Sequence, residues 1–312
     1  MAVSSQSTGP TRSSRTGLLF GTGAYLLWGI FPLYFPLLSP SSPIEILAHR
    51  VIWSAVTMMI ILVVVRPGQT LRKIVENPRT RWFLVLASVM VTINWGTYIY
   101  GVTTDRVVET SLGYFINPLV TVLMGAFILG ERLRTGQWVA MAIASAAVLG
   151  LSIDYGQPPW IALTLAFSFA TYGLAKKKAD AGAISSLTFE TMTITPLAVA
   201  YLFWIDPKAD QHFFHLGAGH TMLLLSTGIV TAVPLLLFGA AATRISLTSL
   251  GLLQYLGPII QFIIGVWVFE EHMSTMRWVG FCLVWLALII FTTEAIRHRR
   301  QQLLLTAQTS AI

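Results

Sequence analysis

Apolar runs of about twenty residues follow one another along the whole chain, separated by polar connectors. A bilayer core of about 30 Å is crossed by about 20 helical residues. At that window the pattern predicts ten spans: Gly17–Leu38, Ile44–Val65, Trp82–Tyr100, Val107–Leu129, Gln137–Ile153, Pro159–Ala175, Ser185–Trp204, Thr221–Ala242, Leu247–Phe269 and Met276–Glu294. The connectors are short except 66–81 and 205–220, and neither β alternation nor low complexity occurs. Residues 1–16 form a polar, Ser/Thr-rich tail. The run behind them is long enough to span and lacks a clean small-x-small cleavage site, so it reads as a retained first helix.

Composition agrees with the pattern. Only 11% of the 312 residues are charged and 55% are hydrophobic, whereas a soluble domain carries about a quarter charged residues. Lipid must therefore solvate much of the surface. The net charge of +7 does not point to nucleic acid, because the basic residues lie between spans and report topology. With the N-terminus in the cytoplasm, 16 of the 20 Lys and Arg residues fall on the inside. Arg106, Lys208 and Arg277 fall outside, and Arg50 lies within a span. Both tails are then cytoplasmic. The one cysteine, Cys282, excludes an internal disulfide and reads as a packing residue.

The chain also matches itself at an offset of 140 residues. Pro118 aligns with Pro258, Gly125 with Gly265, Glu131 with Glu271, Thr135 with Thr275, and Trp138-Val139 with Trp278-Val279. Further upstream Trp28-Gly29 falls on Tyr172-Gly173, and Glu45 on Glu190. Five spans per copy is an odd number, so the second copy enters from the opposite side. The expected fold is an all-α polytopic membrane protein of ten helices in two inverted five-helix repeats, 17–153 and 159–294, with a linker at 154–158 and a basic tail at 295–312. Inverted repeats place a transport site at the midplane between the halves.

Gly/Pro-interrupted spans at matching positions mark such a site. Here they are SLGYFINPL from Ser111 and SLGLLQYLGP from Ser249. Pro118 and Pro258 each remove a backbone donor and crowd the carbonyl four residues back, which makes both expected helix breaks. The alternative is a packing kink relieved by a neighbouring helix. Asn117 and Gln254 supply amides in the same stretches. Pro32, Pro36, Pro196 and Pro234 interrupt other spans, and Gly21, Gly125 and Gly265 suit close helix approach.

Ionisable groups inside spans are costly and need a reason. Arg50 lies one to two turns into the second span from outside, suited to an anionic or carboxylate-bearing solute. Glu190 lies over one turn into the seventh from inside, suited to taking up a proton. A structural role in locking helices together is equally open for both. Glu45 is spaced to meet His49 at i,i+4. Trp28, Asn94, Trp95 and Tyr172 are further lining candidates. Zinc-binding HExxH, nucleophile-elbow and P-loop patterns are absent, and no cofactor is implied. His212, His215 and His220 read as members of a solvated loop.

Eight stretches carry a family resemblance: AYLLWGIFPLYF near residue 24, EILAHRVIWS from Glu45, SLGYFINPLV from Ser111, LGERL from Leu129, LAFSFATYGLAKKK from Leu165, ETMTITPLA from Glu190, IVTAVPLLLF from Ile229 and LGLLQYLGPI from Leu250. Together they resemble the EamA-type drug/metabolite transporter superfamily, and within it the RarD permease family, linked by name to chloramphenicol sensitivity. The resemblance covers nearly the whole chain, departing in the two tails and in 205–220. It implies a ten-helix permease with two EamA domains in the bacterial plasma membrane, carrying an amino acid, another metabolite or a drug.

The reading is a secondary transporter working by alternating access, its halves rocking about a cavity lined by spans one to four and six to nine. Its partners are a small-molecule substrate and the lipid bilayer, and it leaves room for a coupling proton and a homodimer. A non-transporting scaffold or sensor is the alternative. An intramembrane enzyme would need catalytic side chains converging at one depth, and here they are dispersed.

Overall fold

The computed structural model describes residues 12–65, 68–129, 133–204, 212–242, 244–245 and 247–309. Among these no strand occurs. The helices are α1 (Arg12–Gly29), α2 (Phe31–Tyr34), α3 (Pro43–Val65), α4 (Gly68–Glu76), α5 (Pro78–Thr103), α6 (Val107–Leu129), α7 (Thr135–Tyr155), α8 (Trp160–Ala179), α9 (Ala183–Trp204), α10 (Gly217–Ala242), α11 (Leu247–Leu253), α12 (Leu256–Ile263) and α13 (Thr275–Thr309). A 3₁₀ turn at Phe35–Leu38 follows α2, and a π turn at Ile264–Val268 follows α12.

Among the described residues seven helices are long and apolar enough to cross a membrane, or eight if the pair α1 and Phe31–Leu38, bent by 43°, is one span. The chain is an integral multi-pass membrane protein. The predicted ten exceeds this count by α8 and α9, which at 20 and 22 residues have the reach of a span but carry Lys176, Lys177 and Lys178 and Glu190. Large apolar side chains are bare along the helices, among them Trp204 of α9 (92% exposed), Ile153 (77%) and Phe127 (76%). Such exposure is tolerable only against lipid.

Local chemistry sets several boundaries. Asn77 caps α5, its carbonyl oxygen accepting from Arg79 and Thr80 N–H, with Pro78 opening the first turn. Gly156 ends α7 in the left-handed region at φ 68°. Helix α4 lies inside the predicted connector 66–81. Its Leu71, Ile74 and Val75 are spaced for one helical face, and Ile74 is buried against Leu84 and Ala179. Helix α13 runs on to Thr309, well past the predicted end of its span.

The two halves are interleaved. Helix α1 packs on α10, α3 on α9 and α10, α5 on α8 and α9, α6 on α8 and α12, and α7 on α13. Nearly every main contact thus joins one half to the other. Small residues permit it. The buried stripe Ala140, Ala144, Ala147 of α7 belongs to a cluster with Phe281, Val284 and Leu288 of α13. A Cβ at Gly265 would meet Val108, and one at Gly21 would meet Leu253, as expected for close approach.

The tightest approach is at Gly228, where a Cβ would stand 2.3 Å from the Trp53 carbonyl oxygen. That atom is backbone and cannot swing away. Gly228→Ala is expected to destabilise the α3–α10 pairing by about 1–3 kcal/mol, read as a lowered unfolding midpoint in detergent.

The two matched prolines behave differently. Helix α6 continues through Pro118, so the expected break there does not form. The Asn117 carbonyl accepts from the Thr121 hydroxyl at 2.9 Å, and Phe115, Ile116, Leu119 and Val120 around the proline are all buried. Packing holds the helix across the missing donor. At Pro258 residues 254–255 form a turn between α11 and α12 ahead of the proline, within a segment, Ser249–Val268, that still runs as one span. Pro32 also follows a break, whereas Pro196 and Pro234 lie within unbroken helices.

Candidate functional site

Helices α3, α5 and α9 meet around a narrow, partly open cleft. Val51, Val91, Thr92, Trp95, Leu187, Glu190, Thr191 and Ile194 line it, fewer elements than the eight spans expected. Arg50 lies behind one wall. It is 4% exposed, and its guanidinium carbon sits 4.4 Å from the Trp95 ring centroid. The Phe31 and Phe35 rings are 5.7 and 5.6 Å away. Its Nε–H donates to the Thr231 hydroxyl at 2.9 Å, and that hydroxyl donates to the Thr227 carbonyl. Thus α10 holds the stem and α5 covers the face, so Trp95 is shared between the cation and the cleft.

Glu190, 1% exposed, borders the cleft on α9. Its Oε1 accepts from Lys176 Nζ at 2.6 Å and its Oε2 from the Tyr172 hydroxyl at 3.2 Å. Lys176 donates to Ser186 as well. The predicted pair Tyr172 and Glu190 is therefore brought together. Lys176, which the sequence reading placed only in a basic run, completes the cluster. Its signal was the 14-residue separation across one helical hairpin.

The other candidates are placed elsewhere. Asn94 is buried, donating to the Leu165 carbonyl and the Ser168 hydroxyl while accepting from the Tyr114 hydroxyl at 3.1 Å. Asn117 donates to the Ala166 carbonyl at 3.0 Å. Both amides tie their helices to α8, and neither lines the cleft. Gln254 lies in the turn before α12, also outside the cleft lining. Trp28 joins Tyr25 and Phe238 in a separate aromatic group between α1 and α10, and its carbonyl accepts from Gln261.

Three polar expectations are corrected. Glu45 does not pair with His49. It accepts from the His212 backbone N–H at 2.7 Å and meets His212 Nδ1 at 2.8 Å. His49 Nδ1 instead accepts from the Trp53 indole. His212 and His220 are consequently not merely loop residues, since His220 bonds Ser41. Among the described residues no group of three His, Cys, Asp or Glu side chains is arranged to hold a metal. Cys282 is exposed on α13 and does not pack. Glu131, Arg132, Arg66 and Lys208 lie outside the described residues.

Glu271 is the further residue of note. Its carboxylate sits on the N-terminus of α6, accepting from the N–H groups of Val107 and Val108, where the helix dipole favours an anion. Burial pushes its carboxyl up to about 7, against the opposing pull of those N–H bonds and Arg277, while nearby Asp105 pushes upward. The folded state then retains a proton that the unfolded chain releases. Stability from this group is present below about 4.5, the ordinary value, and is lost as pH rises towards 7. Glu271→Gln is expected to flatten the fall in unfolding midpoint between those pH values, measured beside the unaltered protein.

Comparison with known proteins follows the same lines. The EamA-like transporter family matches twice, over residues 15–153 and 159–293. The chain is 50% identical over 287 residues to Protein RarD of Streptomyces exfoliatus, covering 92% of this chain and 91% of that protein. It is 40% identical to Protein RarD of Escherichia coli K12 (93% and 98% covered) and 40% identical to the uncharacterized transporter YojE of Bacillus subtilis (92% and 97%). A solved crystal structure superposes with a TM-score of 0.58 at 18% identity, over 88% of this chain and 96% of that one, a likeness of fold. An all-helical membrane protein matched by one transporter family in both halves, and alike end to end to RarD proteins, belongs to the EamA-like transporter family in its RarD branch.

Proposed function

We propose that the chain is a secondary transporter that moves a small metabolite or drug across the bacterial plasma membrane by alternating access, in the direction of export. The cleft between α3, α5 and α9 carries this reading, because it has a buried cation behind one wall and a buried carboxylate on another. Ionisable groups held within a membrane are costly and mark substrate or ion pathways.

Ten spans in two inverted repeats, 17–153 and 159–294 with both tails cytoplasmic, remain the supporting frame. The packing supports it. Exchanging each span for its counterpart five spans on turns the α1–α10 pair into α8–α5, and α3–α10 into α9–α5, and both members of each exchange are in contact. On this frame α1, α3 and α10 form one triad and α5, α8 and α9 the other. Alternating access then works by movement of triad against triad. Proton uptake by Glu190 would release Lys176 and loosen α8 from α9.

Flux from proteoliposomes tests the reading. Gradient-dependent movement of at least one solute from a broad metabolite panel is expected, and Glu190→Gln is expected to stop proton-driven flux while sparing binding. No flux across the panel would defeat transport, and unchanged pH dependence in the variant would remove Glu190 from the cycle.

A further inference from the structure

The buried charges do not balance around Arg50. Among the described residues the buried carboxylates are Glu45, Glu109 and Glu190. Each has a partner: Glu45 has His212, Glu109 has Arg106 and the Ile161 N–H, and Glu190 has Lys176. Arg50 has none of these acids within ion-pair distance. Its Nη1 is buried without an acceptor.

Two hydroxyls share that condition. Tyr98, 3% exposed, and Ser54, 1% exposed, also have buried oxygens without a partner. Ser54 stands one turn beyond Arg50 on the same face of α3. Tyr98 stands one turn beyond Trp95 on α5, and its ring is 5.9 Å from Phe35, which flanks the guanidinium. Of the five orphaned buried polar atoms among the described residues, those of Arg50 and Tyr98 flank the same Phe35 ring, while Ser54 lies a turn away on the far side of Arg50. Buried donors left unpaired are costly and mark a missing ligand or water.

The missing group has a definable chemistry. It must accept several hydrogen bonds and bring a negative charge, as a carboxylate does. The cleft beyond Trp95 is walled by Val51, Val91, Leu187 and Ile194, which suits an apolar body on the anion. An ammonium group finds no counterpart, because Glu190 is already taken by Lys176 and Tyr172.

We infer that the cargo is a small organic anion, one carboxylate on an apolar body, with the carboxylate taken by Arg50 and Tyr98. This rests on the transport reading of the same site and narrows it. Amines and zwitterions are poor cargo.

Four probes with nearly one body separate the charge states: 3-phenylpropionate, 3-phenylpropanamide, L-phenylalanine and phenethylamine. Each is titrated to its solubility limit against the purified full-length protein in nanodiscs, with sodium chloride as a fifth arm, and the unfolding midpoint is read. Only 3-phenylpropionate is expected to raise the midpoint. Tyr98→Phe, which keeps the ring, is expected to weaken its apparent affinity about tenfold. The inference is overturned if the amine, zwitterion, amide or chloride stabilises as much, if 3-phenylpropionate gives no shift, or if both Tyr98→Phe and Arg50→Lys leave its effect unchanged. Flux separates this from the parent reading. Binding of the anion without gradient-dependent movement in liposomes would sink transport alone, whereas movement of phenethylamine or phenylalanine would sink the anion alone.

Discussion

Lys176→Met is expected to lower the unfolding free energy by about 3 kcal/mol, near the bottom of the roughly 3–5 kcal/mol range for stranding a buried charge. Lys176 is itself a quarter exposed, so little is lost on its side. The damage falls on Glu190, 1% exposed, which keeps only the Tyr172 hydroxyl at 3.2 Å. Lys176→Met combined with Glu190→Gln removes both charges and is expected to regain most of the loss, because a neutral amide needs no counter-ion. Chemical unfolding of the two single variants and the double variant in detergent measures the coupling. A double variant as unstable as Lys176→Met would show that the lysine acts through packing of its stem.

Arg50→Gln is expected to reduce flux per folded molecule about a hundredfold. Loss of the charge-assisted hydrogen bonds that the guanidinium would give a bound anion removes up to about 3 kcal/mol of binding, and about 1.4 kcal/mol is a factor of ten. The variant keeps a polar head that can still reach Thr231, so its folded yield should fall much less than its rate. Normalising proteoliposome flux to folded protein separates the two. If Arg50 merely pins α3 to α5 and α10, yield falls and normalised flux does not.

Helix positions were legible because apolar runs and bilayer thickness both act locally along the chain. Partners were not. Glu45 has His49 one turn away, and that spacing invites a pairing; its actual partner, His212, lies 167 residues further on. Spacing reports what shares a face, and tertiary packing decides which neighbour wins. Asn94 and Asn117 look like free amides in apolar sequence, yet both are consumed by carbonyl oxygens of α8. Pro118 and Pro258 are alike in sequence, but dense packing carries α6 through the first while residues 254–255 turn ahead of the second. Arg50 was visible as an anomaly, since a guanidinium within an apolar run needs a purpose. Its three aromatic neighbours come from two segments, and only the fold could assemble them.

The packing of α8 and α9 has a consequence for biogenesis. Their Lys176 and Glu190 are charges that need protein partners inside a membrane. Both helices rest mainly on α3, α5 and α6, which precede them in synthesis and supply the carbonyl-hungry amides of Asn94 and Asn117. The early segments thus act as an intramolecular insertase for the late ones, and the C-terminal half expressed by itself should fail to integrate unless the N-terminal half is supplied in trans.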